Sequence, residues 1–182
     1  MNTLRSLLTS RKAGNVAVVA FLLVCAYLFV IREMRFFRIP SSSMEPTLLR
    51  ADQIATLSEP AYRRGDIIVT KDNANGGFMV KRIVGLGGDA IAVRRGALFV
   101  NGEYASEPYI LEPIGYEIPA PVIVPENHVF LLGDNRNNSS DSHDHLETFP
   151  EADIIGRVRF IYFPYDRWGV VRSYPLTNRH GQ

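Results

Sequence analysis

Two features of this chain could together supply a nucleophile and its general base: the serine tract Ser41-Ser42-Ser43 and a lysine at position 81. Pro40 and Pro46 bracket the tract and restrict its backbone, which indicates a fixed shape. The alternative is a solvated linker, because serine-rich segments are usually flexible. A fixed serine hydroxyl beside a neutral amine would be a nucleophile with its general base.

The lysine lies in an apolar run, Phe78–Val84, that is typical of a β-strand. Alternation along a strand places Met79, Lys81 and Ile83 on one face, so the ammonium shares an apolar side. Burial lowers the pKa of a lysine and makes its amine a competent base. The alternative is that Lys81 extends to water or pairs with a carboxylate.

A dense polar loop, residues 133–142, directly follows the apolar run Val129–Leu132. Its Asp and Asn side chains could simply cap the strand by bonding to their own backbone. They could equally support a catalytic site, so the loop alone leaves both interpretations open.

The elements that must position these residues are predicted to be strands, because short apolar or β-branched runs alternate with turn residues. The runs are Gln53–Leu57, Asp66–Lys71, Phe78–Val84, Ala90–Arg94, Leu98–Val100, Val129–Leu132 and Ile154–Phe163. The prolines between Glu107 and Pro125 predict a loop or an edge strand there. We therefore predict a mostly β fold.

An uncharged stretch, Ala13–Ile31, precedes these strands. As a helix it would be about 28 Å long, which matches the hydrocarbon thickness of a bilayer. A cleaved signal peptide is the alternative, but no small-x-small cleavage site follows. The predicted organisation is a basic arm (1–12), a transmembrane anchor (13–31), a β domain (32–164) with a short hairpin or loop extension at about 90–125, and a C-terminal tail (165–182).

Composition narrows the function further. The net charge is +1 and no Lys/Arg run occurs, so nucleic acid is not an expected partner. The single cysteine, Cys25, lies in the apolar stretch, which leaves the β domain without a thiol to oxidise or to bind zinc.

Four boxes, taken in order behind an anchor, resemble those of type I signal peptidases, the leader peptidase family. They are Ile39–Leu48, Arg64–Val69, Lys81–Asp89 and Gly133–Arg136 with Ser139 and Asp141. The resemblance covers residues 13–164. It implies a membrane-bound serine endopeptidase with a Ser-Lys dyad, on a mostly β fold of antiparallel sheets that is shared with LexA-type repressors. It implies no metal and no cofactor.

The resemblance also assigns roles to single residues. Ser43 is the expected nucleophile, Lys81 is the expected general base, and Ser41 with the backbone N–H of Ser43 forms the expected oxyanion hole. Ser139 is expected to orient the lysine. The expected supporting residues are Gly133, Asp134, Arg136 and Asp141. Pockets for the small residues of an Ala-x-Ala cleavage signal are expected from Phe37, Ile39, Met44, Met79 and Val80.

The expected partners are secretory precursor proteins and the lipid bilayer. The expected location is a plasma membrane, crossed once, with the β domain on the extracytoplasmic side. Three departures from the family pattern stand out: Gly87 where proline is typical, Asn137 where aspartate is usual, and residues 143–149 in place of Trp-Gly-Phe.

Three alternatives remain open from sequence. A Ser-His-Asp arrangement could use one of the four histidines, which are His128, His143, His145 and His180. His143-Asp144-His145 with Asp141 could bind a metal, although that spacing is unspecific. The chain could also be an inactive, membrane-anchored β module that binds extracytoplasmic chains or envelope partners, but such a module would need neither Ser43 nor Lys81.

Overall fold

The computed structural model describes residues 15–16, 18–25, 27, 33–72, 76–174 and 176. The chain divides into two units, Met1–Met34 and Arg35–Gln182. In the first unit, residues 15–16, 18–25 and 27 are helical. Within the described residues, no helix has both the length and the apolar character needed to cross a membrane. The predicted anchor lies partly outside the described residues and stays a prediction, and the basic arm lies wholly outside them.

The second unit consists mainly of β-strands, which confirms the predicted fold class. In chain order the strands are β1 (Met34–Arg38), β2 (Gln53–Leu57), β3 (Ile67–Lys71), β4 (Phe78–Leu86), β5 (Ala90–Arg94), β6 (Ala97–Val100), β7 (Glu103–Tyr104), β8 (Ile118–Ile123), β9 (His128–Leu132), β10 (Phe149–Pro150), β11 (Ile154–Phe163) and β12 (Gly169–Val170). Among the described residues of this second unit, the helical pieces are a four-residue α-helix, Ser142–His145, and the 3-10 turns Arg136–Asn138, Glu151–Asp153 and Tyr165–Arg167.

The larger sheet has the order β1-β2-β11-β3-β4-β9-β10, with β12 paired to β11. The pairs β3–β4 and β4–β9 are antiparallel, so β4 is a central strand and its lysine lies inside the sheet. Strand β9 ends at Leu132, and the predicted polar loop begins at the next residue. The polar loop therefore leaves the sheet from β9, which is adjacent to β4, the strand that carries Lys81.

The smaller sheet has the order β7-β6-β5-β8 and fills the region expected to be a short hairpin or loop extension. The predicted extension was too small, because four strands form here. Strand β8 contains Pro119 and Pro121 and lies at the sheet edge, where a missing N–H removes no inner ladder bond. Apolar residues of this sheet, such as Ile91 and Leu98, pack with Val84 and Phe130 of the larger sheet.

The segment predicted as a tail packs onto the domain as far as the described residues extend. Strand β12 pairs with β11, and Arg167 binds both carboxylate oxygens of Asp52 and the carbonyl of Thr47. Val171 and Leu176 are buried. Residues 165–174 and 176 therefore belong to the domain, which corrects the boundary predicted at 164.

Candidate active site

The serine tract forms a turn that is anchored from beneath by apolar side chains. Met44 and Leu48 are almost fully buried and pack with Ile54 of the neighbouring strand. Backbone bonds fix the start of the turn, since Ile39 N–H donates to Asp52 O at 2.8 Å and Ala51 N–H donates to Ile39 O at 2.9 Å. The turn thus holds one shape, as its two prolines predict.

Ser43 is 9% exposed and faces the polar loop. Its carbonyl accepts the Asn135 N–H at 3.0 Å, and the carbonyl of Ser42 accepts from the Asn135 side chain at 3.2 Å. Ser43 Oγ lies 3.2 Å from Ser41 Oγ, within hydrogen-bond distance. The two serines that the sequence places at the reacting centre are therefore neighbours, and the loop holds their backbone.

Lys81 is only 5% exposed, and its Nζ donates to Ser139 Oγ at 2.9 Å. It pairs in register with Ile68 of β3. Burial lowers the pKa of Lys81 below that of a free lysine, while the carboxylates of Asp141, Asp144 and Asp72 oppose that shift. The amine is thus poised to lose its proton more easily than a surface lysine.

The polar loop carries the partners of that lysine. Ser139 Oγ donates to Asp141 Oδ2 at 2.5 Å, and the same carboxylate oxygen accepts the Gly133 N–H at 2.8 Å. Burial favours the protonated acid, but hydrogen bonds from His143, Ser139 and Gly133 hold the pKa of Asp141 below its usual range. A Cβ added to Gly133 would collide with Ser139 Oγ and Ser43 O, so only glycine allows this approach.

A fully buried ion pair ties the three segments together. Arg82, the residue after the lysine, donates from Nε and Nη2 to the two carboxylate oxygens of Asp134 at 2.7 and 2.6 Å. Thr47 Oγ1, in the serine turn, donates to Asp134 Oδ2 at 2.5 Å. Both charged side chains are 0% exposed. One carboxylate therefore links the serine turn, the lysine strand and the polar loop.

Arg136, the predicted supporting cation, pairs with Glu107 rather than with the catalytic candidates. Its Nη1 donates to Glu107 Oε2 at 2.7 Å and its Nη2 donates to Oε1 at 2.5 Å. Its Nε donates to Gly133 O at 2.9 Å. Arg136 thereby connects the polar loop to the segment that precedes β8.

These segments surround a cleft of about 920 Å³. Most predicted site residues line it: Ile39, Ser41, Ser43, Met44, Met79, Val80, Lys81 and Asp141. Phe37 is not among the lining residues; its ring packs edge-on against Phe78, which does line the cleft, at 5.3 Å between centroids. Ser43 and Lys81 open onto the same cleft, although the described hydrogen bonds include none between their side chains.

The histidine alternatives do not gain support from the geometry. No histidine in the described residues bonds to Ser43, and His143 bonds to Asp141 instead. Among the described residues, no group of three His, Cys, Asp or Glu side chains is arranged to hold a metal ion. His180 lies outside the described residues.

Residues 11–163 match the family described as Signal peptidase, peptidase S26. The chain belongs to this family. It is a serine peptidase of the signal peptidase I type, a name that several of its curated relatives carry. Probable signal peptidase I-1 from Synechocystis sp. is 38% identical over 173 residues, covering 88% of this chain and 86% of that protein. Signal peptidase I U from Bacillus subtilis is 34% identical over 169 residues, covering 85% of this chain and 90% of that protein.

Among solved structures, a signal peptidase I from Enterococcus faecalis V583 is 29% identical to this chain, with a TM-score of 0.49 over 55% of this chain and 98% of that one.

The departures of this signal peptidase from its family pattern have local roles. Asn137 accepts from Gly115 N at 2.6 Å and donates to Glu112 at 2.8 Å and to Pro113 O at 3.1 Å. Residues 143–149 continue the helix Ser142–His145 and lead into β10. A Cβ on Gly87 would lie 3.1 Å from the Glu126 Cα, so two loops approach closely there.

Sequence reasoning missed four residues that support this signal peptidase site: Arg82, Glu107, Tyr116 and His143. The Lys-Arg pair at 81–82 was a usable signal, because alternation sends the arginine to the opposite face, where it needs a buried partner. Glu107 and Tyr116 had no such signal, since their partners are distant in sequence.

Proposed function

We propose that this chain cuts signal peptides from exported precursors with Ser43 as nucleophile and Lys81 as general base. The observation that carries the proposal is a buried lysine, held by Ser139, that opens onto the same cleft as a turn-bound serine. The lysine lies where burial lowers its pKa, as a neutral base requires. Family membership supports the same reaction class.

In this mechanism the neutral Lys81 amine takes the Ser43 hydroxyl proton as Oγ attacks the carbonyl carbon of the scissile bond. The negative charge that develops on the carbonyl oxygen is held by the Ser41 hydroxyl and the Ser43 backbone N–H. The Lys81 ammonium then returns the proton to the leaving amine, and water hydrolyses the acyl-enzyme. Ser139 fixes the direction of the amine throughout, because its Oγ already accepts from Nζ.

We further propose that the cut follows small residues of the Ala-x-Ala type. Ile39, Met44, Met79 and Val80 supply large apolar side chains around the two catalytic candidates. Walls of this kind leave room for alanine and reject larger side chains by overlap. Phe37 contributes to this wall through Phe78 and not by direct contact with the cleft.

The proposed setting is a plasma membrane that the chain crosses once, with the domain on the extracytoplasmic side. The uncharged stretch Ala13–Ile31 supports it. Protease added to intact spheroplasts should digest the domain and leave a short N-terminal fragment. Complete protection of the domain from the protease would mean that the orientation is the opposite one.

The proposal is tested by incubating the detergent-solubilised full chain with one exported precursor and mapping the cut. Ser43→Ala should abolish cleavage without loss of fold. Ser42→Ala should keep most activity, because the hydrogen bond described for Ser42 Oγ comes from the exposed Asn138 amide at 3.2 Å. Ser41→Ala should lose about 100- to 1000-fold in rate. Equal losses for Ser42→Ala and Ser43→Ala would reject the nucleophile and favour a binding module.

A further inference from the structure

A continuous line of hydrogen bonds runs from the candidate base to a histidine that the proposed reaction does not use. Lys81 Nζ donates to Ser139 Oγ at 2.9 Å, and Ser139 Oγ donates to Asp141 Oδ2 at 2.5 Å. Asp141 Oδ1 lies 2.7 Å from His143 Nδ1. A serine has one hydroxyl proton, so donation to Asp141 leaves its oxygen free to accept from the lysine. The directions of the two Ser139 bonds are thereby fixed, and the ionised Asp141 carboxylate can only accept from His143.

The surroundings of His143 favour a charged ring. Its Nδ1 forms a hydrogen bond with Asp141 Oδ1, and its Nε2 lies 3.1 Å from Asp144 Oδ1, within ion-pair distance, so each ring nitrogen lies beside a carboxylate oxygen. Only the imidazolium carries a proton on both nitrogens. The hydrogen bond to Asp141 raises the pKa of His143, burial opposes the rise, and the charges of Asp141 and Asp144 add to it.

The ring is also held from its flat side. Tyr116, in the segment between β7 and β8, stacks on His143 with centroids 3.9 Å apart and planes inclined by 10°. The His143 side chain is 16% exposed. A ring held on one face by Tyr116 and at Nδ1 by Asp141 keeps its charge close to the Asp141 carboxylate.

We propose that His143, as an imidazolium, is a positioning residue for the peptidase reaction, acting on Lys81 through Asp141 and Ser139. The inference rests on the proposed Ser-Lys mechanism. Asp141 must accept from Ser139 to orient the lysine, yet its negative charge favours the protonated amine. A cation on the far oxygen of Asp141 offsets that charge, so the loop orients Lys81 without keeping it protonated.

The test is kcat/KM against pH for the full chain in detergent, with a synthetic peptide that contains an Ala-x-Ala cut. The groups that face His143 are Asp141, Asp144, Tyr116 and, at longer range, Lys81. With His143→Asn, the acid limb of the profile should shift to higher pH by roughly 0.5 to 1 unit, because Lys81 would hold its proton more tightly. With His143→Arg, which keeps a permanent cation, the limb should stay at the wild-type position or below it.

His128→Asn is the matched control, because His128 bonds a backbone carbonyl, Glu126 O, and does not line the cleft. The acid limb of kcat/KM for His128→Asn should match that of the wild type. An unmoved limb in His143→Asn, or an equal upward shift in His143→Arg, would overturn the inference, since a purely structural role lowers the rate without separating these two variants.

A second measurement covers the case in which His143→Asn fails to fold. In the wild type, the NMR titration of the His143 ring should give a pKa above 6.5, and Lys81→Met should raise it further by removal of a nearby cation. An identical His143 pKa in the wild type and in Lys81→Met would overturn the proposed coupling between the two residues. If Lys81→Met kept full activity, the Ser-Lys mechanism itself would fail, which is a separate outcome.

Discussion

The turn that carries Ser43 and the loop that supports Lys81 meet at one cleft but are held by different forces. The serine turn rests on buried apolar side chains, Met44 and Leu48, and on backbone hydrogen bonds. The polar loop is held by ion pairs and by hydrogen bonds to charged groups, with Asp134 and Asp141 at its centre. We therefore expect charge to matter more on the base side than on the nucleophile side.

This division suits the chemistry proposed for each side. A serine nucleophile needs a fixed position and carries no charge in the resting state. A lysine base needs a pKa set between burial and nearby carboxylates, so charged neighbours must lie around it. Asp134 joins the two sides, because it binds Thr47 of the serine turn and Arg82 of the lysine strand.

The largest expected effect is on activity, from loss of the base. Lys81→Met should lower kcat/KM by about 1000-fold or more and leave the fold intact, because an apolar side chain suits a buried position. Lys81→Arg should be equally inactive, since a guanidinium does not deprotonate. Both are checked by peptide cleavage and by circular dichroism.

Lys71→Met is the matched control, because Lys71 lies on the adjacent strand and its side chain is exposed. It should cleave at the wild-type rate. Near-normal turnover by Lys81→Arg would contradict a neutral-amine base.

The next effect separates the two kinds of support. Asp134→Asn leaves the buried Arg82 charge uncompensated and should cost about 3 to 5 kcal/mol in the free energy of unfolding. Leu48→Ala should cost about 2 to 5 kcal/mol through a cavity beneath the serine turn. Urea unfolding measures both.

The two variants should differ in their pH dependence. In the folded fraction, Leu48→Ala should keep the wild-type acid limb of kcat/KM, whereas Asp134→Asn should shift it, because the loop that orients Lys81 loses its anchor. A shifted limb in Leu48→Ala would contradict the division between the two sides.

The strands of this domain follow from local pattern, and the ion pairs do not. All seven predicted runs form strands, because alternation and β-branched residues act over a few neighbours. Strand β1 (Met34–Arg38) was missed, since its charged flanks and adjacent phenylalanines carry no alternation. The pairs of Arg82 with Asp134 and of Arg136 with Glu107 join residues 52 and 29 positions apart, a distance that no local pattern encodes.

The site was predicted mainly by resemblance, residue by residue. The serine tract and Lys81 also had local signals, namely bracketing prolines and an apolar strand face. His143 had none, because its importance comes from the Asp141 oxygen that it faces and from a tyrosine of another segment. The same holds for Leu176, which joins a core cluster whose buried members, such as Ile91 and Phe130, are distant in sequence.

A smaller effect concerns stability against pH. The pKa of Asp141 is lowered in the folded state, so its contribution is present above about pH 3.9 and is lost as pH falls through the folded pKa. The pKa of His143 is raised, so its contribution is complete below about pH 6.5 and is lost as pH rises through the folded value.

His143→Asn should therefore reduce the free energy of unfolding by about 1 kcal/mol at pH 5 and by less at pH 9. Urea unfolding at both pH values measures the difference. A loss of the same size at both would mean that the ring acts by packing on Tyr116 and not by its charge.

The smallest expected effect tests one of the departures from the family pattern. Asn137→Asp introduces the residue that is usual at this position, yet here it should destabilise the chain by about 0.5 to 1 kcal/mol. Aspartate keeps the acceptor for the Gly115 N–H but loses the donor to Pro113 O and to the Glu112 carboxylate. It also sets two carboxylates side by side.

The double variant Asn137→Asp with Glu112→Gln should recover most of the loss, because the glutamine amide can donate to the new carboxylate. Thermal unfolding of the two variants measures this, and a stabilising Asn137→Asp would show that these exposed bonds do not support the loop.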